Sequence, residues 1–176
     1  MSKVAMMVGD DYEDAEFDMP FECLRNAGVE VTVLGTERGS TIHGKRGKSE
    51  VTIQHTADEV KPEDFDALVI PGGHGPDKLR LDQYAVDFTR RFNDTGKLVA
   101  AICHGPQLLI EADVVNGRTL TSWPSVRKDL INAGAKWEDR EVVEDGNLVT
   151  SRKPEDLDVF CNAILQRLHA GQAKAV

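Results

Sequence analysis

The sequence is short of cysteine, of aromatic residues and of positive charge, and each shortage excludes something. Three cysteines, at positions 23, 103 and 161, are too few and too scattered for a disulfide framework, and no CxxC pair or His/Cys cluster has metal-ligand spacing. No apolar run approaches the roughly 20 residues that span a bilayer as a helix. Lys and Arg number 21 against 30 Asp and Glu, a net charge of −9 with no basic stripe, so neither nucleic acid nor an anionic membrane is an expected partner. The densest basic patch, Lys45, Arg46 and Lys48, lies among glycines and reads as a solvated turn. Internal repeats, low-complexity tracts and a Pro/Ser linker are all missing, and Met1-Ser2-Lys3-Val4 has no signal-peptide pattern. The expectation is a single domain over residues 1–176, cytoplasmic, with free thiols, no metal and no cofactor.

What the sequence does have is one stretch that organises the rest. Leu98-Val99-Ala100-Ala101-Ile102 is a short apolar run, and Cys103-His104-Gly105-Pro106 follows at once. Such a run, bounded by turn residues, reads as a fully buried strand, and Gln107 to Ala112 suit a helix. Cys103 therefore falls in a strand-to-helix turn, beside a helix N-terminus whose partial positive charge favours thiolate over thiol. The plain alternative is a small core cysteine. The strand-Cys-His-Gly-helix setting favours a nucleophile. Cys23 and Cys161, near apolar helix faces, read as core.

The rest of the chain alternates strands and helices. Residues 3–8 form a nearly unbroken apolar run, and Phe17, Phe21, Leu24 and Gly28 follow at helical spacing, with Pro20 a possible kink. Val29, Val31 and Val33 alternate as a strand, and residues 36–54 hold hairpin strands around 41–43 and 50–53. Residues 67–70 make another buried strand. Residues 71–77 look too Gly-rich for regular structure, and a helix runs over 82–93. A short strand at 118–121, a helix over 123–133, strands at 137–143 and 148–151 and a final helix from Pro154 complete the order, with a frayed tail over 171–176. This alternation implies a mainly parallel sheet with helices on both faces.

In such a sheet the strands ending near positions 8, 70 and 102 share one carboxyl edge. That edge gathers Glu13, the Gly72-Gly73 turn and Cys103. The amides of Gly73 and His104 then face a developing oxyanion, and Glu13, its pKa raised by partial burial, shuttles a proton. Most of the six acids among residues 10–18 need do no more than face water at a helix N-terminus. His104, adjacent to Cys103, is not automatically turned toward it, and Asp77 is a candidate to orient it, from this chain or a neighbouring subunit. His74 and Trp123 are candidate pocket walls.

Ala101-Ile102-Cys103-His104-Gly105-Pro106-Gln107, Pro71-Gly72-Gly73 and Tyr12-Glu13-Asp14 resemble the PfpI family, within the superfamily of the Parkinsonism-associated deglycase and the class I glutamine amidotransferase domains. The similarity extends to Ile131-Asn132-Ala133-Gly134-Ala135 and Ser151-Arg152. It implies a flavodoxin-like three-layer sandwich with Cys103 on a nucleophile elbow, Glu13 hydrogen-bonded to its sulfur, and a homodimer or a hexamer of dimers. Two positions depart from the peptidase-like members: Asp77 stands where Glu is common, and Trp123 where Tyr is common.

The resemblance implies a cofactor-independent stress-response enzyme acting on α-oxoaldehydes or on their early protein and nucleotide adducts, by deglycase or glyoxalase chemistry. Cys103, Glu13 and His104 would be catalytic, and Gly73 and His104 would form the oxyanion hole. Two alternatives stand beside it: an ATP-independent intracellular cysteine peptidase using a Cys103–His104–Asp77 triad, and a non-catalytic redox-sensing stress protein or holdase.

Overall fold

The computed structural model describes residues 1–174. The elements run β1 (Lys3–Met7), α1 (Asp14–Asn26), β2 (Glu30–Gly35), β3 (Thr41–His43), β4 (Glu50–Thr52), β5 (His55–Thr56), β6 (Ala67–Ile70), α2 (Gly75–Leu79), α3 (Gln83–Asp94), β7 (Leu98–Ile102), α4 (Pro106–Glu111), β8 (Thr119–Leu120), α5 (Arg127–Asn132), β9 (Lys136–Trp137), β10 (Val142–Asp145), β11 (Leu148–Ser151) and α6 (Leu157–Lys174). Seven strands form one sheet in the order β10-β11-β7-β6-β1-β2-β5. All pairings in it are parallel except β10 with β11.

The central strands are apolar throughout because both of their faces are covered. Alternate residues feed two separate cores. Met7, Leu68, Ile70, Val99 and Ala101 pack with Leu79, Phe88, Phe92 and Leu108 from α2, α3 and α4. Met6, Val69, Ala100 and Ile102 pack with Phe17 and Leu24 of α1 and Phe160, Ile164 and Leu168 of α6. The result is a flavodoxin-like sandwich: helices, sheet, helices.

Four details differ from the sequence reading. Residues 71–77 are not all loop, since Gly75-Pro76 opens α2, proline suiting a first helical turn where no N–H is needed. The expected strand over 137–143 divides into β9, which pairs with β8 in a separate small sheet, and β10. Pro20 sits inside α1 rather than delaying it, and α1 begins at Asp14. The expected fraying from 171 does not hold as far as Lys174, where α6 is still helical; positions 175 and 176 lie outside the described residues.

The sheet aligns its carboxyl ends through register: Met6 lies opposite Val69, and Ile70 opposite Ala101. The loops leaving β1, β6 and β7 therefore meet at one edge. They are also stitched together. The Glu13 amide donates to the Gly72 carbonyl at 3.1 Å and the His74 amide to the Asp11 carbonyl at 2.8 Å.

Candidate active site

Cys103 occupies the turn between β7 and α4 with a φ of 62°, a left-handed conformation that a side chain enters only at a cost of about 1–3 kcal/mol. The surroundings hold it there. Its amide donates to the Ser151 carbonyl at 3.0 Å, and its carbonyl accepts from the Trp123 amide at 2.9 Å. The bend turns the side chain back over the sheet edge, where 7 % of the residue stays exposed.

Two amides, those of Gly73 and His104, face the sulfur. The close approach of the loops explains why glycine is needed. A Cβ on Gly72 would lie 2.9 Å from the Cβ of Cys103, and one on Gly73, whose φ is +79°, would lie 2.2 Å from the Glu13 nitrogen.

The carboxyl beside the sulfur is Glu16, not Glu13. Glu16 is fully buried, and burial raises its pKa from 4.5 to about 8. The groups that act on it are the Cys103 thiol, Glu13, Lys45 and the Gly72 amide, and no protein donor reaches either carboxyl oxygen in full hydrogen-bond geometry among the described residues. Glu13, the residue expected there, is engaged elsewhere. Its carboxylate meets Arg46 Nε at 2.6 Å and Lys45 Nζ at 2.8 Å. Burial works against that charge, but the two cations outweigh it and hold the Glu13 carboxyl below the ordinary range. The expectation of a raised pKa thus holds one turn further along α1 than the residue for which it was made.

The sheet edge and the Tyr12-Glu13-Asp14 resemblance both point to Glu13 and leave Glu16 unmarked. The signal for Glu16 was nevertheless present. It is four residues before Pro20 and eight before Leu24, on the stripe that α1 buries. An acid on the apolar face of a helix needs a reason to be there.

The basic patch is likewise not a free turn. Asp14 accepts from the amides of Arg46, Lys48 and Ser49 at 2.9, 2.8 and 3.0 Å, which folds the β3–β4 connection against the start of α1. Lys45 and Arg46 are thereby aimed at Glu13.

Burial, and next to it the charge of Glu16, push the Cys103 thiol up, so the helix terminus does not by itself make it acidic. The Glu16 part of that opposition exists only while Glu16 is ionised. A neutral Glu16 carboxyl donates to sulfur instead of repelling it, and with a pKa of about 8 the neutral form prevails at pH 7. The ionisation of each group thus bears on that of the other.

His104 does turn toward the sulfur: Nδ1 lies 3.3 Å from Sγ, and Nε2 lies 3.4 Å from the Ser125 hydroxyl. The positive φ of Cys103 brings adjacent side chains together. Burial and the nearby Lys45 and His74 lower the imidazole's pKa against the pull of Asp77, so it is neutral. The Trp123 ring stacks on it with centroids 6.4 Å apart. Asp77, on α2, acts on His104 through its charge, while the hydrogen-bond partner recorded at Nε2 is Ser125, which sequence reasoning did not single out.

Fold and site together define an α/β sandwich with a strained cysteine elbow facing a protonatable carboxyl. The chain belongs to the DJ-1/PfpI family, whose model matches residues 2–167. It is 50% identical over 169 residues to protein/nucleic acid deglycase 2 of Escherichia coli K12, covering 96% of this chain and 98% of that one. It is 46% identical over 158 residues to the putative cysteine protease YraA of Bacillus subtilis, covering 90% and 93%. The crystal structure of Drosophila melanogaster DJ-1beta superposes with a TM-score of 0.88 at 33% identity, covering 96% of this chain and 91% of that one.

Proposed function

We propose that this chain is a cofactor-independent hydrolase that acts on α-oxoaldehydes and on their early adducts with protein or nucleotide amines. The observation that carries this reading is the buried, uncharged Glu16 beside Cys103, because moving a proton between neighbouring carbons needs a carboxyl poised near neutrality. The relative named a protein/nucleic acid deglycase, half identical over almost its whole length, supports the same class.

The steps follow from the placement of the groups. His104 Nδ1, neutral and 3.3 Å from the sulfur, takes the thiol proton as Cys103 adds to the aldehyde carbon, and the new alkoxide accepts from the Gly73 and His104 amides before taking the Glu16 proton. The Glu16 carboxylate removes the proton from that carbon and returns it to the adjacent one, converting the hemithioacetal to a thioester. Water cleaves the thioester, freeing a 2-hydroxy acid and the thiol. With an amine adduct as substrate, the sulfur displaces the amine, which departs with the Glu16 proton. Work in the cytoplasm as a homodimer or a hexamer of dimers belongs to the same proposal.

The test is lactate formation from methylglyoxal without glutathione, together with release of free amine from a methylglyoxal-treated N-acetyl-lysine. Activity is expected in the parent chain and absent in Cys103→Ala; equal rates in the two would overturn the mechanism. A second reading, a cysteine peptidase, is favoured by the 3.3 Å approach of His104 to the sulfur and by the relative named a putative cysteine protease. Cleavage of a peptide amide faster than turnover of methylglyoxal would make it the better description.

A further inference from the structure

Two turns further along α1 from the acid at the elbow, two thiols that the proposed chemistry does not use line the same gap. Cys23 lies near the C-terminal end of α1 and Cys161 in the second turn of α6, and the two helices pack side by side. Both cysteines, with Pro20, Leu24 and Ile164, line one gap of about 130 Å³ that is too narrow for a water molecule. The two thiols act on each other electrostatically across this gap. Both are free thiols here.

We infer that Cys23 and Cys161 form a reversible redox pair that closes to an intrachain disulfide when the protein meets a hydroperoxide. Their exposures suit unlike roles: Cys23 is partly exposed and Cys161 buried. The Cys23 thiolate attacks a peroxide oxygen, the O–O bond breaks, and the departing hydroxide takes a proton to become water. Cys23 is now a sulfenic acid, oxidised by two electrons. Cys161 attacks that sulfur, the S–S bond forms, the S–O bond breaks, and a second water leaves. In sum, two thiols and one peroxide give one disulfide and two waters.

The like charge of Cys23, after burial, pushes the Cys161 thiol up to about 12 while both are reduced. The resulting bond would join α1, which carries Glu16 two turns before Cys23, to α6.

The test is oxidation of the whole reduced chain with dilute hydrogen peroxide, quenching by alkylation, and peptide mass mapping. The expected product is a joined pair of peptides containing Cys23 and Cys161, lower in mass by two hydrogens. Alkylation is lost at both positions and regained with dithiothreitol, on a chain that stays monomeric on a non-reducing gel. Cys23→Ser should abolish the joined peptides, and Cys103→Ser should leave them in place, which separates this pair from the chemistry of the elbow. Retention of full alkylation at Cys23 and Cys161 while Cys103 oxidises would overturn the inference. So would separate sulfinic acids, or a crosslink between chains.

Discussion

Glu13 caps α1 and Glu16 lies one turn further in, and both are almost wholly buried, at 4 % and 0 % exposed. Glu13 meets two cations and keeps its charge. Glu16 meets no full hydrogen-bond donor among the described residues and gives its charge up, although a position in a first helical turn ordinarily favours the anion. Dipole stabilisation of about 0.3–1 kcal/mol is small beside the cost of stranding a carboxylate in an apolar core. Distance from solvent therefore does not separate these two acids; the company each keeps does. The ion-paired acid holds a loop in place, and the stranded one is left free to exchange a proton.

The sharpest way to test that contrast is Glu16→Gln. Proton transfer by a placed side chain contributes about 10²–10⁴-fold, and kcat on methylglyoxal should fall by that order. A second readout has a defined sign. The folded pKa of Glu16, about 8, lies above its unfolded value of 4.5, so the folded chain binds more protons between those limits. The stabilisation is complete below pH 4.5 and is lost as pH rises toward 8. Unfolding free energy measured in urea should decline by about 1.4 kcal/mol per pH unit in that window for the parent, and the decline should vanish in Glu16→Gln. Parent and Glu16→Gln profiles that run parallel from pH 5 to 7.5 would mean that Glu16 is ionised and that the contrast is false.

The next largest effect belongs to the loop that supplies the cations. Asp14 satisfies three amides, and Asp14→Ala would leave them without that acceptor. Thermal or urea unfolding should show a loss of roughly 2–4 kcal/mol. Lys45, on this loop, reaches Glu16 and His104 through its charge alone, so kcat should change less than stability does. A collapse of kcat with unchanged stability would place the β3–β4 connection in the chemistry instead.

The parts of this molecule legible in the sequence are those where one chain segment carries its own signal. The run from Leu98 into Cys103-His104-Gly105 announced β7, its bend and the start of α4, because apolar content, turn chemistry and helix entry all lie within twelve residues. What depended on distant pairing was not. Lys45 and Arg46 look like a solvated patch until Asp14, over 30 residues away, draws their loop inward. Ser125 reads only as part of a helix opening until the elbow brings His104 within 3.4 Å of it. Glu16 carried a signal as an acid on the apolar stripe of α1, but which acid of the Glu13–Glu16 turn meets the sulfur depends on the packing of α1 against β7 and the β6 loop.

The smallest expected effect discriminates best between the two acids. Glu13→Gln keeps the shape of the side chain and removes its charge, leaving Lys45 and Arg46 without their counter-ion. Arg46 is more than half exposed and Lys45 about a third, at 57% and 31% of their side chains, so water takes over much of their solvation. The stability cost should be about 1 kcal/mol or less, read as a small shift in the urea midpoint. Lys45 also acts on His104, and with Glu13 neutral its uncompensated charge would lower the imidazole's pKa further. The imidazole is already neutral at pH 7, so kcat should change by no more than a few-fold there, with the acid limb of the pH–rate profile moving slightly to lower pH. A loss as deep as that of Glu16→Gln, in a variant that still unfolds cooperatively near the parent midpoint, would return the proton to Glu13. It would show that an ion-paired carboxylate, rather than a stranded one, serves the sulfur.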